Sequence, residues 1–239
     1  MEIIKSSSFF ISTIENNHVF VLGGPSGTGK TELALNLATF FERMGILATV
    51  IDLDFTKGDF TLRSNRFRTY VPIPQRGEET RYGNVPHIPQ KLLQHIEGAS
   101  HDRRFIIDLG GNERGMQFLQ IVKPVLKHKR VHVTLVTNFF RPFFEAEEHY
   151  QSFASRIERG LDFRFHSVIA NSHLMEFTTW EVLARSWQKT QNLVTMLSSP
   201  LFFATVWGKT CDEEILGECL SGAIVRIKRF LDLPWRDEP

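Results

Sequence analysis

From its N-terminus the chain alternates short unbroken apolar runs with longer stretches in which apolar residues recur every three or four positions. The runs Val19–Leu22, Leu47–Ile51, Phe105–Asp108, Val131–Thr137, Phe165–Ala170 and Leu201–Val206 predict strands, and Thr69–Val71 predicts one more. Several lack polar alternation, the pattern of strands covered on both faces, so the sheet carries helices on either side. Leu33, Leu37, Phe40, Phe41 and Met44 form a helical stripe that halts at Gly45, a residue suited to the position just past a helix end. Ala146, Tyr150, Phe153 and Ile157 form a second stripe, with Pro142 in its first turn. Leu183, Trp187, Thr190, Val194 and Leu197 form a third, opened by Thr178 and Glu181 at capping-box spacing. Leu216, Cys219, Ala223, Ile227 and Phe230 predict a final helix, and Phe9–Ile14 predicts an antiparallel edge strand. Strands and helices in alternation predict an α/β fold with a mostly parallel central sheet and ligands at the C-terminal ends of its strands.

Composition keeps this picture to one body. The 239 residues are 42% hydrophobic with a mean hydropathy of −0.16, and no linker-like stretch divides them. The expectation is a single domain over 1–239, with 63–90 as an insert-like segment rich in arginine and proline. A net charge of +1 leaves no global field for nucleic acid, so none is expected as a partner. Cys211 and Cys219, eight residues apart on the predicted helix, are separated by about 12 Å and read as free thiols in a reducing compartment. None of the nine histidines has zinc-ligand spacing, and His128 and His132 read as surface residues. The apolar patch Phe9–Ile11 is too brief for a signal peptide or a membrane span, so a cytoplasmic protein is expected.

Chemistry concentrates between the first run and the first stripe. Gly24-Pro25-Ser26-Gly27-Thr28-Gly29-Lys30-Thr31 fits G-x-x-x-x-G-K-[ST] without a mismatch. Glycines let such a loop curl its N–H groups inward, the lysine reaches the β/γ-phosphates, and the Thr31 hydroxyl ligates Mg²⁺. The expected binding set is Gly24, Ser26, Gly27, Thr28, Gly29, Lys30, Thr31 and Glu32. A dinucleotide fingerprint is excluded, because Glu32 stands where its third glycine belongs.

Mg²⁺-nucleotide chemistry also needs carboxylates at neighbouring strand ends. Asp52 and Asp54 end the second run, and Asp108 ends the apolar strand that precedes Leu109-Gly110-Gly111. Asp108 therefore fits a metal-supporting role, and Asp108 to Gly111 fits the D-x-x-G of a loop that senses the γ-phosphate.

With these motifs the chain resembles the CobQ/CobB/MinD/ParA group of P-loop proteins, in an uncharacterised branch. The resemblance rests on the P-loop, Asp52-Leu53-Asp54, Asp108-Leu109-Gly110-Gly111, Asn138-Phe139-Phe140-Arg141-Pro142 and the segment from Ala170 to Thr179. It implies a P-loop NTPase fold of the MinD/ParA type. It also implies that Thr31 and Asp52 serve Mg²⁺, that Asp108 holds the metal's surroundings, that Asp54 positions the hydrolytic water, and that Asn171 contacts adenine. Capping of the turn after its strand is an equal reading of Asn171. Pro25 stands where MinD and ParA proteins carry a second lysine that crosses a dimer. Dimerisation through such a lysine therefore does not carry over, although an oligomer of another kind is compatible with the chain.

Asn171-Ser172-His173-Leu174 lacks the Lys and Asp of a guanine-reading N-K-x-D, which favours ATP. The expected function is a Mg²⁺-dependent ATPase acting as a nucleotide switch for a protein partner, with Lys30 and Asp54 as catalytic residues. A ligase or kinase acting on a small carboxylate, like CobQ/CobB and dethiobiotin synthetase, is the second reading, and a non-hydrolysing interaction module is the third. Asn138 to Phe144 brings four phenylalanines to one loop, as a docking surface or as packing beneath it. The basic tail around Arg226, Lys228 and Arg229 offers a weak membrane contact if it is an amphipathic helix.

Overall fold

The computed structural model describes residues 1–53, 90–111, 113–161, 163–174, 177–208 and 220–230. Asp54, the segment 63–90 with the predicted strand Thr69–Val71, Cys211, Leu216 and Cys219 therefore lie outside or largely outside the described residues.

Among the described residues the chain runs β1 (Glu2–Lys5), α1 (Ser8–Asn16), β2 (Val19–Gly23), α2 (Lys30–Arg43), β3 (Leu47–Asp52), α3 (Gln90–Glu97) and β4 (Arg103–Asp108). It continues with α4 (Glu113–Leu126), β5 (Val131–Thr137), α5 (Glu147–Leu161), β6 (Ser167–Ala170), α6 (Trp180–Leu197), β7 (Leu201–Trp207) and β8 (Ile224–Ile227). The strands form one sheet in the order β1-β8-β7-β6-β5-β2-β4-β3, parallel throughout except for β1 against β8. Every residue of β2 is buried, as its unbroken apolar run requires.

Alternation along β2 divides the core into two layers. Val19 and Val21 face one side with Leu119, Val122, Tyr150, Phe153 and Ile157, whereas Phe20 and Leu22 face the other with Leu33, Leu37, Phe41 and Phe10. The first layer is closed by α3, α4, α5 and α6, and the second by α1 and α2. Each fully buried aliphatic or aromatic side chain contributes roughly 1.5–3 kcal/mol, so these two layers hold the sheet in place.

The structure departs from expectation at both ends of the chain. Phe9–Ile14 is not an edge strand: Ser7 caps α1 by accepting a hydrogen bond from Phe10 N at 3.1 Å, and Phe10, Thr13 and Ile14 face inward at helical spacing. The antiparallel edge is β1, Glu2–Lys5, which precedes that run. The predicted last helix is instead strand β8 over Ile224–Ile227, slotted between β7 and β1. Ile224, Val225 and Ile227 are β-branched and buried there, and Arg226 pairs with Glu2 at 2.9 Å.

Three local expectations shift as well. The cap of α6 is Thr179, not Thr178, whose hydroxyl instead accepts from Leu174 N at 2.8 Å. Helix α5 begins at Glu147, well after Pro142, because Phe143 takes a left-handed φ of 69°. His132 is not on the surface: only 5% exposed, it meets Ser167 Oγ at 2.7 Å. Gly45, by contrast, ends α2 as expected, at φ 77° and with Ile46 N donating to Phe41 O.

Candidate functional site

The site lies where β2 ends in the middle of the sheet and α2 begins. Between them Gly24, Gly27 and Gly29 have φ of 152°, 78° and 86°, values that side-chain-bearing residues rarely adopt. Sterics reinforce the torsions. A Cβ on Gly24 would fall 2.5 Å from Val136 O on β5, and one on Gly29 would fall 2.4 Å from the Asn171 amide nitrogen. The motif thus bends the chain into a loop whose last residues open α2, leaving first-turn N–H groups and the positive helix end for an anion.

Inside the loop Thr28 Oγ1 donates to Pro25 O at 3.0 Å, and Lys30 Nζ donates to the same carbonyl at 2.9 Å. Lys30 is 3% exposed.

Parallel register places the acidic residues. Asp52 of β3 is paired with Asp108 of β4, and Asp108 with Leu22 of β2, so the two aspartates sit side by side at the sheet's C-terminal edge. Their neighbours Val50 and Ile106 belong to the α2-facing layer, and period-two alternation turns both aspartates toward α2 as well. Thr31, in the first turn of α2, donates from Oγ1 to Asp108 Oδ2 at 2.5 Å. A hydroxyl and two carboxylates are hard oxygen donors, a set that suits Mg²⁺ with its remaining positions filled by phosphate and water.

The strand β4 leads straight into a loop that touches the motif. A Cβ on Gly111 would lie 2.5 Å from Ser26 N and 2.8 Å from Pro25 C, so only glycine lets the two backbones pass this closely. Any shift of Gly111 therefore bears on the P-loop. Glu32 is turned elsewhere: its carboxylate accepts from Phe230 N, while neighbouring Asn36 exchanges hydrogen bonds with Lys228 N and O at 2.9 and 2.8 Å. The segment that follows β8 is thereby fastened to α2.

Asn171 follows β6 and is 1% exposed. Its Nδ2 donates to Thr28 O at 2.7 Å and its Oδ1 accepts from Thr205 Oγ1 at 2.6 Å, so this amide clamps the P-loop to β7. Beside it His173 stacks on Trp207, with centroids 5.6 Å apart, and burial pushes its imidazole down to about 4.

Two features escape sequence inspection. Thr205 becomes relevant only because β6 and β7 are neighbours. Arg141, from the loop after β5, lays its guanidinium over Gly27 and donates from Nε to Ser26 O at 3.3 Å. In the sequence Arg141 stands only as one residue of the motif Asn138-Phe139-Phe140-Arg141-Pro142 after a strand, and its place over Gly27 depends on β5 lying beside β2.

No protein-family model matches the sequence, and no curated protein matches it. Solved structures do match. FlhF, crystallised in complex with GMPPNP and Mg²⁺, aligns with a TM-score of 0.50 at 16% identity over 80% of this chain. FtsY from Mycoplasma mycoides aligns with a TM-score of 0.47 at 14% identity over 77% of this chain. The chain spans 66% of the FlhF chain and 58% of the FtsY chain. At such identities likeness speaks for fold alone. Together with the strand, glycine loop and helix described above, the FlhF match makes this an α/β chain with the fold of P-loop NTPases.

Proposed function

We propose that the chain binds ATP with Mg²⁺ and hydrolyses it, serving as a nucleotide switch for a protein partner in the cytoplasm. The observation that carries the reading is the Thr31–Asp108 contact at the mouth of a loop whose glycines hold it open. In this reading the N–H groups from Gly27 to Thr31 hold the phosphates, and Lys30 offsets charge on the transferring group. Thr31, Asp52 and Asp108 would hold Mg²⁺, which when bound neutralises charge on the β- and γ-phosphate oxygens. Asp54 orients the attacking water. Gly111, flush against Ser26, passes loss of the γ-phosphate to the loop after β4.

Asn171 keeps one amide N–H beyond its bond to Thr28 and is assigned to the adenine edge. FlhF carries a guanine nucleotide analogue in its crystal, so base choice is the first thing to measure. Placement among MinD/ParA-like proteins is supported by carboxylates ending β3 and β4. A partner is supported by Phe143 and Phe177, 84% and 75% exposed in loops at the sheet's C-terminal edge.

Calorimetric titration with ATP and GTP, each with Mg²⁺, tests this directly. ATP is expected to bind more tightly than GTP, and Lys30→Ala to weaken it by at least ~100-fold, about 2.7 kcal/mol. Affinity indifferent to Lys30→Ala overturns the reading. A preference for GTP overturns only the base assignment.

A further inference from the structure

The loop Asn138–Phe144 is more than a connector between β5 and α5. Asn138 N donates to the Tyr150 hydroxyl at 2.7 Å, and that hydroxyl donates to Asn138 O at 2.9 Å. Phe139 N donates to Ser172 Oγ at 3.0 Å, and Phe140 N to Asn138 Oδ1 at 3.0 Å. On its far side, Phe143 N donates to Glu145 Oε1 at 3.1 Å and Lys189 of α6 donates to Glu145 O at 2.5 Å. Groups from α5, α6 and the segment after β6 thus hold one short loop. The loop is also strained, since Phe143 is a non-glycine residue at φ 69° whose ring is exposed, and such torsions persist only where the surroundings enforce them.

What this bracing positions is Arg141. Its Nε, Cζ and Nη2 lie 2.3–2.6 Å from where a Gly27 Cβ would be, so the guanidinium rests on the glycine's open face. The residues beneath it, Ser26 and Gly27, are exposed, and Arg141 itself is exposed. Lys30 is the buried cation of the loop, and Arg141 is a cation at its solvent-facing lip. Among the described residues its guanidinium makes one bond, of 3.3 Å, to an exposed carbonyl, and a planar fork of five donors suits phosphate oxygens. A contact that served structure alone would need neither the fork nor the strain.

We infer that Arg141 is a phosphate-binding residue supplied in cis, one that contacts the terminal phosphate of a bound nucleoside triphosphate and stabilises charge there as that phosphate is transferred. The inference rests on the nucleotide-binding reading above and adds to it a second cation from outside the motif. The step balances without it: a bond forms from water oxygen to the γ-phosphorus as the bond from that phosphorus to the bridging oxygen breaks, the diphosphate leaves with the bridging oxygen, the water's proton passes to the released phosphate or to solvent, and Arg141 exchanges no proton. Its contribution is electrostatic, of the kind for which arginines in phosphoryl transfer are worth roughly 10³–10⁵ in rate.

The test compares a triphosphate with a diphosphate. Binding of AMPPNP and ADP, with GMPPNP and GDP alongside and Mg²⁺ throughout, is measured on the full chain and on Lys30→Ala, Arg141→Ala and Arg141→Lys. Arg141→Ala is expected to weaken the triphosphate analogue at least tenfold, to leave the diphosphate within about twofold, and to slow hydrolysis at least 100-fold. Arg141→Lys should restore part of the affinity, and guanidinium ion part of the rate. If Lys30→Ala abolishes binding while Arg141→Ala changes neither ligand, or both equally, Arg141 is a strut and the inference is overturned. If Lys30→Ala also changes nothing, the nucleotide reading itself has failed. Thermal melting of Arg141→Ala, expected to match the parent because the residue is exposed, separates these outcomes from misfolding.

Discussion

Two loops meet over the end of β2, and they are built in opposite ways. The P-loop is shaped by its own residues: three glycines at positive φ, a threonine that bonds back to Pro25, and a helix that starts at Lys30. The loop Asn138–Phe144 makes short-range bonds of its own through Asn138 and Glu145, but it is set in place by Tyr150, Ser172 and Lys189 from three other places. A backbone cradle is written where it stands, whereas a side chain aimed at the cradle depends on everything packed beneath it. Damage to the first should abolish binding, and damage to the second should misplace one cation.

The largest effect is expected at the seam between the P-loop and the loop after β4. Gly111→Ala places a methyl group 2.5 Å from Ser26 N, a clash of backbone with backbone that neither side relieves by rotating a side chain. Nucleotide affinity is expected to fall at least ~100-fold, read by titration of the folded variant. Unchanged affinity would show that the two loops move independently.

A smaller effect separates the strands that carry the loops. In β2 every residue is apolar, but β5 carries His132, pushed down to about 3 by burial and then by neighbouring His166. A histidine in the unfolded chain titrates near 6.5, so between that pH and about 3 the unfolded state binds the extra proton. The contribution of His132 to stability is therefore fully present above about pH 6.5 and is lost as pH falls toward 3. His173, at about 4, acts in the same direction. Denaturant midpoints measured across this range should fall with acidity, and His132→Gln should flatten the slope. A slope identical to that of the parent would sink the assignment.

The smallest effect isolates the brace. Tyr150→Phe removes the hydroxyl that accepts from Asn138 N and donates to Asn138 O, while keeping the ring that packs against Phe139 and Phe144. Loss of these buried bonds is expected to cost about 1–3 kcal/mol. Diphosphate affinity should hold, and hydrolysis should drop as it does for Arg141→Ala, by a smaller factor.

Much of this was legible in the residues. Buried strands read clearly because parallel strands covered on both faces are apolar at every position, and β2, β3, β4 and β5 stand within a residue or two of expectation. The P-loop and the strand-ending aspartates read clearly because torsional freedom and charge are properties of single residues. Asp54 and most of the arginine-rich segment lie outside the described residues, and the role of Asp54 stands as a proposal. Two segments were misread for a common reason. Phe9–Ile14 and Ile224–Ile227 are short and apolar, compatible with either period, and neighbours decide between helix and strand. Phe10 found a place against Phe202 and Phe203, and Ile224 found an open ladder beside β7.

Local chemistry in the chain thus determines that a glycine loop joins β2 to α2, which lysine and threonine open that helix, and which acidic residues close their strands. Pairing at long range settles the rest: that Asp108 reaches Thr31, that Asn171 clamps Thr28, and that Arg141 lies over Gly27. A motif works through torsions and charges carried by adjacent residues. A constellation drawn from β4, β5, β6 and α2 exists only after hydrogen-bonded strands have found their order and two apolar layers have fixed it.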